Sequence, residues 1–150
     1  MSLSKLLSWL RPAAPVTAPP EPPPVPEPDL LTPRDRERLK GVHPDLVRVV
    51  ERARKYETFI VSEGVRTMER QREMVAKGLS KTMASRHLTG HAVDLYPVNG
   101  KQVADMPRAD YVGVVAAMKR AATELGVKME HGHDWGWDSP HHELTRAAYP

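Results

Sequence analysis

The stretch MASRHLTGHAVDLYP, residues 83–97, constrains this chain more than any other part of its sequence. It contains an imidazole, His87, and a carboxylate, Asp94, on either side of Gly90. Asp94 lies between two apolar residues in a run that alternates as a β-strand does, so it faces away from their side of the strand. Gly90 can turn the backbone so that His87 returns beside Asp94. An imidazole and a carboxylate held together suit a borderline cation such as zinc.

A second stretch near the C-terminus, WGWDSPHHEL, contains further candidates for a metal site. Either His141 or His142 can be the third ligand, and Asp138 stands three residues before His141. Three protein ligands with a spare carboxylate nearby are the layout of a catalytic zinc site that keeps one position open for water. A structural zinc site is not expected, because such sites fill all four positions, often with thiolates, and the chain contains no cysteine.

These motifs resemble those of a family of zinc peptidases that act on peptidoglycan. Residues 85–94 match the pattern S-x-H-x-x-G-x-A-x-D of a group that includes D-Ala-D-Ala carboxypeptidases, D-Ala-D-Ala dipeptidases and the L-alanyl-D-glutamate peptidases of phage endolysins. Residues 138–144 match the later pattern D-x-P-H-x-E-L, and an upstream G-x-R followed by a glutamine is met by Gly64, Arg66 and Gln71. The resemblance extends from Pro33 to Thr145, with the motifs in the same order.

The resemblance implies one zinc ion and three ligands, which are His87, Asp94 and His141. His142 stands where the family usually has an aromatic residue, and on a strand it would point away from His141 and the metal. Three other histidines are not expected to be ligands, because the family has none at their positions: His91, His131 and His133. The first has the four-residue spacing of a zinc helix, but the Thr-Gly pair that precedes it is poor helix material.

The resemblance also implies roles for residues around the metal. Asp138 is expected to act as general base toward the attacking water and then to protonate the leaving amine. Arg66 is expected to bind a substrate carboxylate or to share the charge of the oxyanion. Three residues are predicted to contact substrate: Ser85, Gln71 and Trp135. For Ser85 the alternative is a plain loop hydroxyl, and for Gln71 it is a structural bond to a neighbouring loop.

Periodicity, capping residues and turn residues predict the remaining elements. They are a short helix from Pro33 that stops at Gly41, a helix from Pro44, a strand at residues 58–62, a helix after Thr67 with Met68, Gln71 and Val75 inside, a hairpin turn at Asn99-Gly100, a long helix over residues 111–125, and strands at residues 127–130 and 141–144. The resemblance implies an α+β fold, a small antiparallel sheet with helices packed on one side, as in Hedgehog and the D-Ala-D-Ala peptidases.

The chain of 150 residues divides into three predicted parts. Residues 1–11 place four leucines on one helical face and form an amphipathic segment, which either contacts a membrane surface or a partner, or is a frayed extension. Residues 12–29 form a proline-rich linker of polyproline II character. Residues 30–150 form the zinc peptidase domain. The segment before the linker is too short and broken in its apolar part for a clear secretory signal.

The function expected from the resemblance is hydrolysis of the L-Ala-D-Glu bond of peptidoglycan stem peptides, as in endolysin-like cell-wall lysis. The alternatives are a D-Ala-D-Ala carboxypeptidase and a non-catalytic wall-binding module. The formal charge of +3 is modest and unspecific, although it could favour contact with anionic cell-wall polymers or membrane surfaces. No nucleic-acid partner is expected. We expect a monomer that is made in the bacterial cytoplasm and acts on the wall after release, with peripheral membrane contact through residues 1–11 as an option.

Overall fold

The computed structural model describes residues 28–150. The predicted amphipathic segment and most of the proline-rich linker therefore lie outside the described residues. Five α-helices and four strands are found within this part of the chain: α1 Pro33–Arg38, α2 Pro44–Ala53, β1 Phe59–Glu63, α3 Met68–Ala76, β2 Ala92–Pro97, α4 Val112–Leu125, β3 Met129–His131, α5 Gly132–Trp135 and β4 His141–Leu144. None of the described helices is long and apolar enough to span a bilayer.

The four strands form one antiparallel sheet in the order β1-β2-β4-β3. Strand β2 lies in the centre and places Asp94 directly opposite His141 of β4. Residues directly opposite each other on neighbouring strands share a face of the sheet. The pairing therefore brings these two predicted ligands together, although 46 residues separate them in the chain. His142 pairs with Val93, on the other face.

The hydrophobic core lies on one face of the sheet, under α2 and α4. Helix α2 contributes Leu46, Val49 and Val50 to it, and α4 contributes buried residues along one side, including Met118. Val93 is among the strand residues that meet them. The opposite face carries Asp94 and His141. This arrangement confirms the predicted α+β fold, because the apolar sides of the amphipathic helices cover one side of the sheet.

The buried carboxylate of Asp35 connects helix α1 to the sheet. Thr32 caps the helix in a capping box, its hydroxyl accepting from the backbone N–H of Asp35 at 3.1 Å. The Asp35 carboxylate accepts from the backbone N–H of Thr32 at 2.9 Å and from that of Val61, in β1, at 2.8 Å. One side chain thus satisfies a helix terminus and a strand N–H that would otherwise be unpaired.

Three local predictions differ from the structure. The turn at Asn99-Gly100 does not make a β-hairpin, because the chain continues into short 3₁₀ helices at Val103–Asp105 and Arg108–Tyr111 that lead to α4. Strand β3 begins at Met129, two residues later than predicted. Met68 lies on the outer side of α3 and is 46% exposed, whereas Gln71 is buried. The short helix α3 has a weak apolar side, so periodicity placed Gln71 correctly but put Met68 on the wrong side of the helix.

Candidate metal centre and catalytic cleft

Three ligand atoms converge at the open face of the sheet. Nε2 of His87 lies 3.2 Å from Oδ1 of Asp94 and 3.2 Å from Nδ1 of His141, and the latter two atoms are 3.3 Å apart. Two ligands of a tetrahedral zinc ion, each bonded at ~2.0–2.1 Å, lie about 3.3 Å apart. The three atoms therefore have the spacing of one side of a tetrahedral coordination shell, and they can hold a metal ion.

His87 reaches this position from a 3₁₀ helix, Arg86–Thr89, that begins and ends with defined caps. The hydroxyl of Ser85 accepts from the backbone N–H of His87 at 3.3 Å. Gly90 ends the helix with a φ of 74°, and a Cβ there would lie 2.3 Å from the carbonyl oxygen of Gly41. Glycine is thus required both for the left-handed conformation and for the close packing of the two chain segments.

The tautomer of His87 is set by a backbone carbonyl. Nδ1 of His87 lies 2.8 Å from the carbonyl oxygen of Gly64, which can only accept, so we assign the proton to Nδ1. Nε2 then carries a lone pair that faces the other two ligand atoms. A Cβ on Gly64 would lie 2.0 Å from the carbonyl oxygen of Arg38. Because Gly64 has no side chain, the chain can pass close to Arg38 there, and the carbonyl of Gly64 can reach Nδ1 of His87.

The second imidazole is oriented by a carboxylate. Nε2 of His141 donates to Oε2 of Glu143 at 2.8 Å, which leaves Nδ1 of His141 toward His87 and Asp94. In the imidazolium form Nδ1 carries a proton, and in the neutral form it offers a lone pair to a metal ion. Burial alone would lower the pKa of His141, but hydrogen bonds to Asp94 and Glu143 raise it to about 9. The set of two imidazoles and one carboxylate thus attracts positive charge and fits a metal ion.

The centre opens into a cleft of about 540 Å³. Its lining includes Ser85, Trp135 and Asp138. The ring centroid of Trp135 lies 5.4 Å from that of His141. Burial and the nearby charge of Asp94 raise the pKa of the Asp138 carboxyl above its usual value, although His141 opposes this. Its carboxylate is therefore more basic than that of an exposed aspartate.

Comparison with known proteins shows which family this chain belongs to. Residues 30–149 match the family described as phage L-alanyl-D-glutamate peptidase. This chain belongs to that family. It is 33% identical over 119 residues to the L-alanyl-D-glutamate peptidase of Escherichia phage T5, a match that covers 75% of this chain and 86% of the phage protein. The crystal structure of the L-Ala D-Glu endopeptidase ChiX of Serratia marcescens is similar, with 47% identity, a TM-score of 0.72, and coverage of 80% of this chain and 92% of ChiX.

In this member of the family, the guanidinium of Arg66 lines the cleft but is already held on three sides. It pairs with Glu63, to which Nε donates at 2.9 Å, and Nη1 donates to Oε1 of Gln71 at 2.7 Å. Its Nη2 lies 3.7 Å from Oδ2 of Asp94. Arg66 is only 7% exposed. The structure therefore places it next to the ligand carboxylate, in a position fixed by Glu63 and Gln71.

Gln71 lies behind the wall of the cleft rather than in its lining. Its side chain is fully buried, and its Nε2 donates to the hydroxyl of Ser80 at 2.8 Å and to the carbonyl oxygen of Thr82 at 2.6 Å. This geometry is that of the structural alternative, in which Gln71 fixes a neighbouring loop. Because the side chain of Gln71 has no exposed surface in the cleft, it makes its contacts with the protein itself.

The remaining histidines of the motifs lie apart from the three ligands. Nδ1 of His91 contacts the hydroxyl of Thr89 at 2.8 Å, and His133 contacts Ser139 at 3.1 Å. His142 is buried beneath the sheet against His131, with their Nδ1 atoms 2.8 Å apart. Burial lowers the pKa of His131 to about 4. The strand alternation that predicted His142 to point away from the ligands is confirmed by the pairing of β2 and β4.

Two carboxylates support the site without a role predicted from the sequence, Glu63 and Glu143. Glu63 pairs with Arg66, and Glu143 orients His141. A signal for Glu143 was present, because residues two apart on a strand share a face and Glu143 follows His141 by two. No comparable signal existed for Glu63, because its contact depends on how the chain turns after β1.

Proposed function

We propose that this protein is a metal-dependent peptidase that hydrolyses the L-Ala-D-Glu bond of peptidoglycan stem peptides. The observation that supports this most directly is the group of His87, Asp94 and His141 beside Asp138, in one cleft of a chain that belongs to the L-alanyl-D-glutamate peptidase family. The relative from phage T5 and the Serratia enzyme are both named for this bond. They favour it over the D-Ala-D-Ala bond as the substrate of this chain.

We propose zinc as the metal. Two neutral imidazoles and one carboxylate, with a cleft on the remaining side, are the donor set of catalytic zinc sites. When bound, zinc would supply a Lewis acid that polarises the scissile carbonyl and makes a water nucleophilic near neutral pH. The protein holds the three donors in place through Gly64, Glu143 and the cross-strand pairing of β2 with β4.

Asp138 is the proposed proton carrier. Asp138 lines the cleft and is not one of the three ligand residues. The pKa of its carboxyl is raised. It accepts a proton from the attacking water. It then donates that proton to the nitrogen of D-Glu as the amide bond breaks, so that the leaving group departs as a neutral amine.

Arg66, Trp135 and Ser85 are proposed to serve the same reaction. The positive charge of Arg66 lies beside Asp94 and at the edge of the cleft, where it offsets the ligand carboxylate and can share negative charge that develops on the scissile carbonyl oxygen. Trp135, which is 38% exposed, offers an apolar surface next to His141. Ser85 caps the helix that carries His87 and also lines the cleft.

The reaction is tested by mass spectrometry of purified peptidoglycan that has been digested with the full-length protein, with and without a chelator. We expect new stem peptides that begin at D-Glu, their loss after chelation, and their return when zinc is added. Release of single D-Ala would assign the protein to the carboxypeptidase reaction instead. Absence of any metal-dependent product would leave a wall-binding module as the better account.

We further propose that the protein acts as a monomer and reaches the wall from the cytoplasm by a separate release route. Residues 1–11 would then add contact with a membrane surface. Expression of the protein alone, followed by fractionation, tests the release route, since the protein should stay in the cytoplasm. Deletion of residues 1–28 should weaken binding to anionic vesicles, and unchanged vesicle binding would contradict the membrane contact.

A further inference from the structure

The basic side chains that line the cleft are Arg66, Lys81, Arg86 and Arg146. Arg66 and Arg86 are buried. The first pairs with Glu63, and the second donates to two backbone carbonyls, at 3.1 and 2.5 Å. Arg146 is exposed and donates to the carbonyl oxygen of Ala84 at 2.8 Å. Lys81 differs from all three, because the contact that its ammonium group makes within residues 28–150 is with an aromatic ring.

Nζ of Lys81 lies 4.3 Å from the centroid of the Trp137 ring. Lys81 is exposed, and within residues 28–150 it forms no ion pair with a carboxylate. A cation–π contact at an exposed site is weak, so an incoming carboxylate can displace it or bind beside it. Lys81 therefore offers a positive charge that the folded protein has not already used.

The backbone that carries Lys81 is held in place. Buried Gln71 donates to the residues on both sides of it, to the hydroxyl of Ser80 and to the carbonyl oxygen of Thr82. Gln71 is in turn fixed by Arg66, at the metal centre. The position of the Lys81 backbone is thus tied to the position of the metal ligands.

The contact with Trp137 also links Lys81 to the part of the cleft that carries Asp138. Trp137 immediately precedes Asp138 in the chain, and Asp138 is the proposed donor of a proton to the leaving nitrogen. The leaving group must therefore lie next to Asp138, and Lys81 lines the same cleft against the residue that precedes Asp138.

The leaving group of an L-Ala-D-Glu bond is D-Glu, which has two carboxyl groups. At most one of them carries the next residue of the stem peptide, so the other is a free carboxylate unless it is amidated. We propose that Lys81 binds this free carboxylate and makes the enzyme prefer stem peptides with D-glutamate over those with its amide. This inference rests on the proposed function, since it takes D-Glu as the leaving residue.

The test uses two synthetic substrates, N-acetyl-L-Ala-D-Glu-L-Lys joined through the glutamyl side-chain carboxyl, and the same peptide with the remaining carboxyl amidated. We expect the full-length, zinc-loaded protein to cleave the acid with a kcat/KM about tenfold higher than the amide. In Lys81→Met this ratio should fall to about one through a higher KM for the acid, with kcat unchanged, because the contact exists equally in the ground state and the transition state.

Two variants separate a charge effect from a structural one. Lys81→Arg should restore the preference for the acid, since it keeps the charge. Lys77→Met, a change at an exposed lysine outside the cleft, should keep the tenfold ratio. Loss of the ratio in Arg146→Met but not in Lys81→Met would overturn the assignment.

The two proposals fail in different ways. If the wild-type protein cleaves both peptides equally well, the role of Lys81 is wrong and the proposed function stands. If it cleaves neither peptide, with zinc present and the protein folded, the proposed function is wrong and the role of Lys81 is wrong with it.

Discussion

At the scale of single residues, the site depends on groups that never touch substrate. Each imidazole of the metal centre has one nitrogen toward the centre and one committed to a partner, which is the carbonyl of Gly64 for His87 and the carboxylate of Glu143 for His141. These partners fix the tautomers and the ring orientations. A histidine without such a partner would populate both tautomers and rotate, which would lower its affinity for a metal.

Glu143→Ala should therefore weaken metal binding about 10-fold to 100-fold, because His141 loses the acceptor for its Nε2–H. Competition with a chromophoric chelator measures this affinity. Glu130→Ala is the matched control, because Glu130 is an exposed glutamate that lies opposite Glu143 in the register of β3 and β4. Equal affinities in both variants would show that Glu143 does not orient the ligand.

Asp138→Asn should retain the metal and lose most turnover. An amide cannot accept the proton of the attacking water, and loss of general acid–base catalysis lowers rates about 10²-fold to 10⁴-fold. Turnover of stem peptides and metal content should be measured on the same preparation. Asp134→Asn, at an exposed residue paired with Lys119, should behave as the wild type does. Normal turnover in Asp138→Asn would refute the assignment.

At the scale of secondary-structure elements, two short connections position the site. Asp35 ties α1 to β1, and the close passage of Gly64 past Arg38 ties the end of β1 to the same helix. The carbonyl that orients His87 follows immediately after β1. The geometry of a metal ligand thus depends on the seating of a helix of six residues that does not itself enter the cleft.

Asp35→Asn should lower the free energy of unfolding by about 1–3 kcal/mol at pH 7, because it weakens the cap and the bond to Val61. Burial opposes ionisation, but hydrogen bonds from Thr32 and Val61 lower the pKa of Asp35. A lowered pKa stabilises the fold above the unfolded value of about 4, and this stability is lost as the pH falls through the folded value.

The difference in stability between the wild type and Asp35→Asn should consequently shrink from pH 7 to pH 3. Urea unfolding at the two pH values measures it. Asp105→Asn, at an exposed residue, is the control. A difference that stays constant over this range would contradict a role for the ionised carboxylate.

Gly64→Ala should destabilise the protein by more than about 2 kcal/mol and also weaken metal binding. The new Cβ would lie 2.0 Å from the backbone carbonyl oxygen of Arg38, the last residue of α1, and 2.9 Å from Cγ2 of Val42, so the end of α1 would have to shift. Thermal unfolding and chelator competition report the two effects. Gly113→Ala is the control, because its Cβ would meet only the flexible side chain of Glu57, and alanine favours the helix. Equal stability in the two variants would contradict this account.

At the scale of the whole molecule, the metal centre joins parts of the chain that are far apart in sequence. His87 comes from a 3₁₀ helix, Asp94 from the central strand β2, and His141 from β4. A metal that binds all three stabilises the folded state, because the unfolded chain cannot present them together. Affinity and folding stability are therefore linked in this protein.

Zinc at 100 times its dissociation constant should raise the free energy of unfolding by about 2.7 kcal/mol over the chelated protein. Calorimetry with and without chelator measures the corresponding rise in melting temperature. The variant His141→Ala should melt at the same temperature under both conditions. If the melting temperature of the wild-type protein were the same with and without zinc, the three side chains would not form a metal site.

The sequence by itself determined the local chemistry of this protein. Strand alternation separated Asp94 from the core and His141 from His142, and cap residues located α1 and α2, because these properties depend only on neighbouring residues. The ligand triad and the family were predicted for the same reason, since the motifs are short and ordered. The prediction of a hairpin at Asn99-Gly100 was wrong because a turn signal does not specify which strand follows.

The tertiary structure alone decided the order of the strands, the tautomers of the two histidines, and the partners of Arg66 and Gln71. Strand β4 lies between β2 and β3, a pairing over long sequence separation that no local pattern encodes. Glu63 and Gln71 hold Arg66 because the chain turns sharply between β1 and α3. Such contacts arise from packing between distant elements, so they become visible only once the elements are in place.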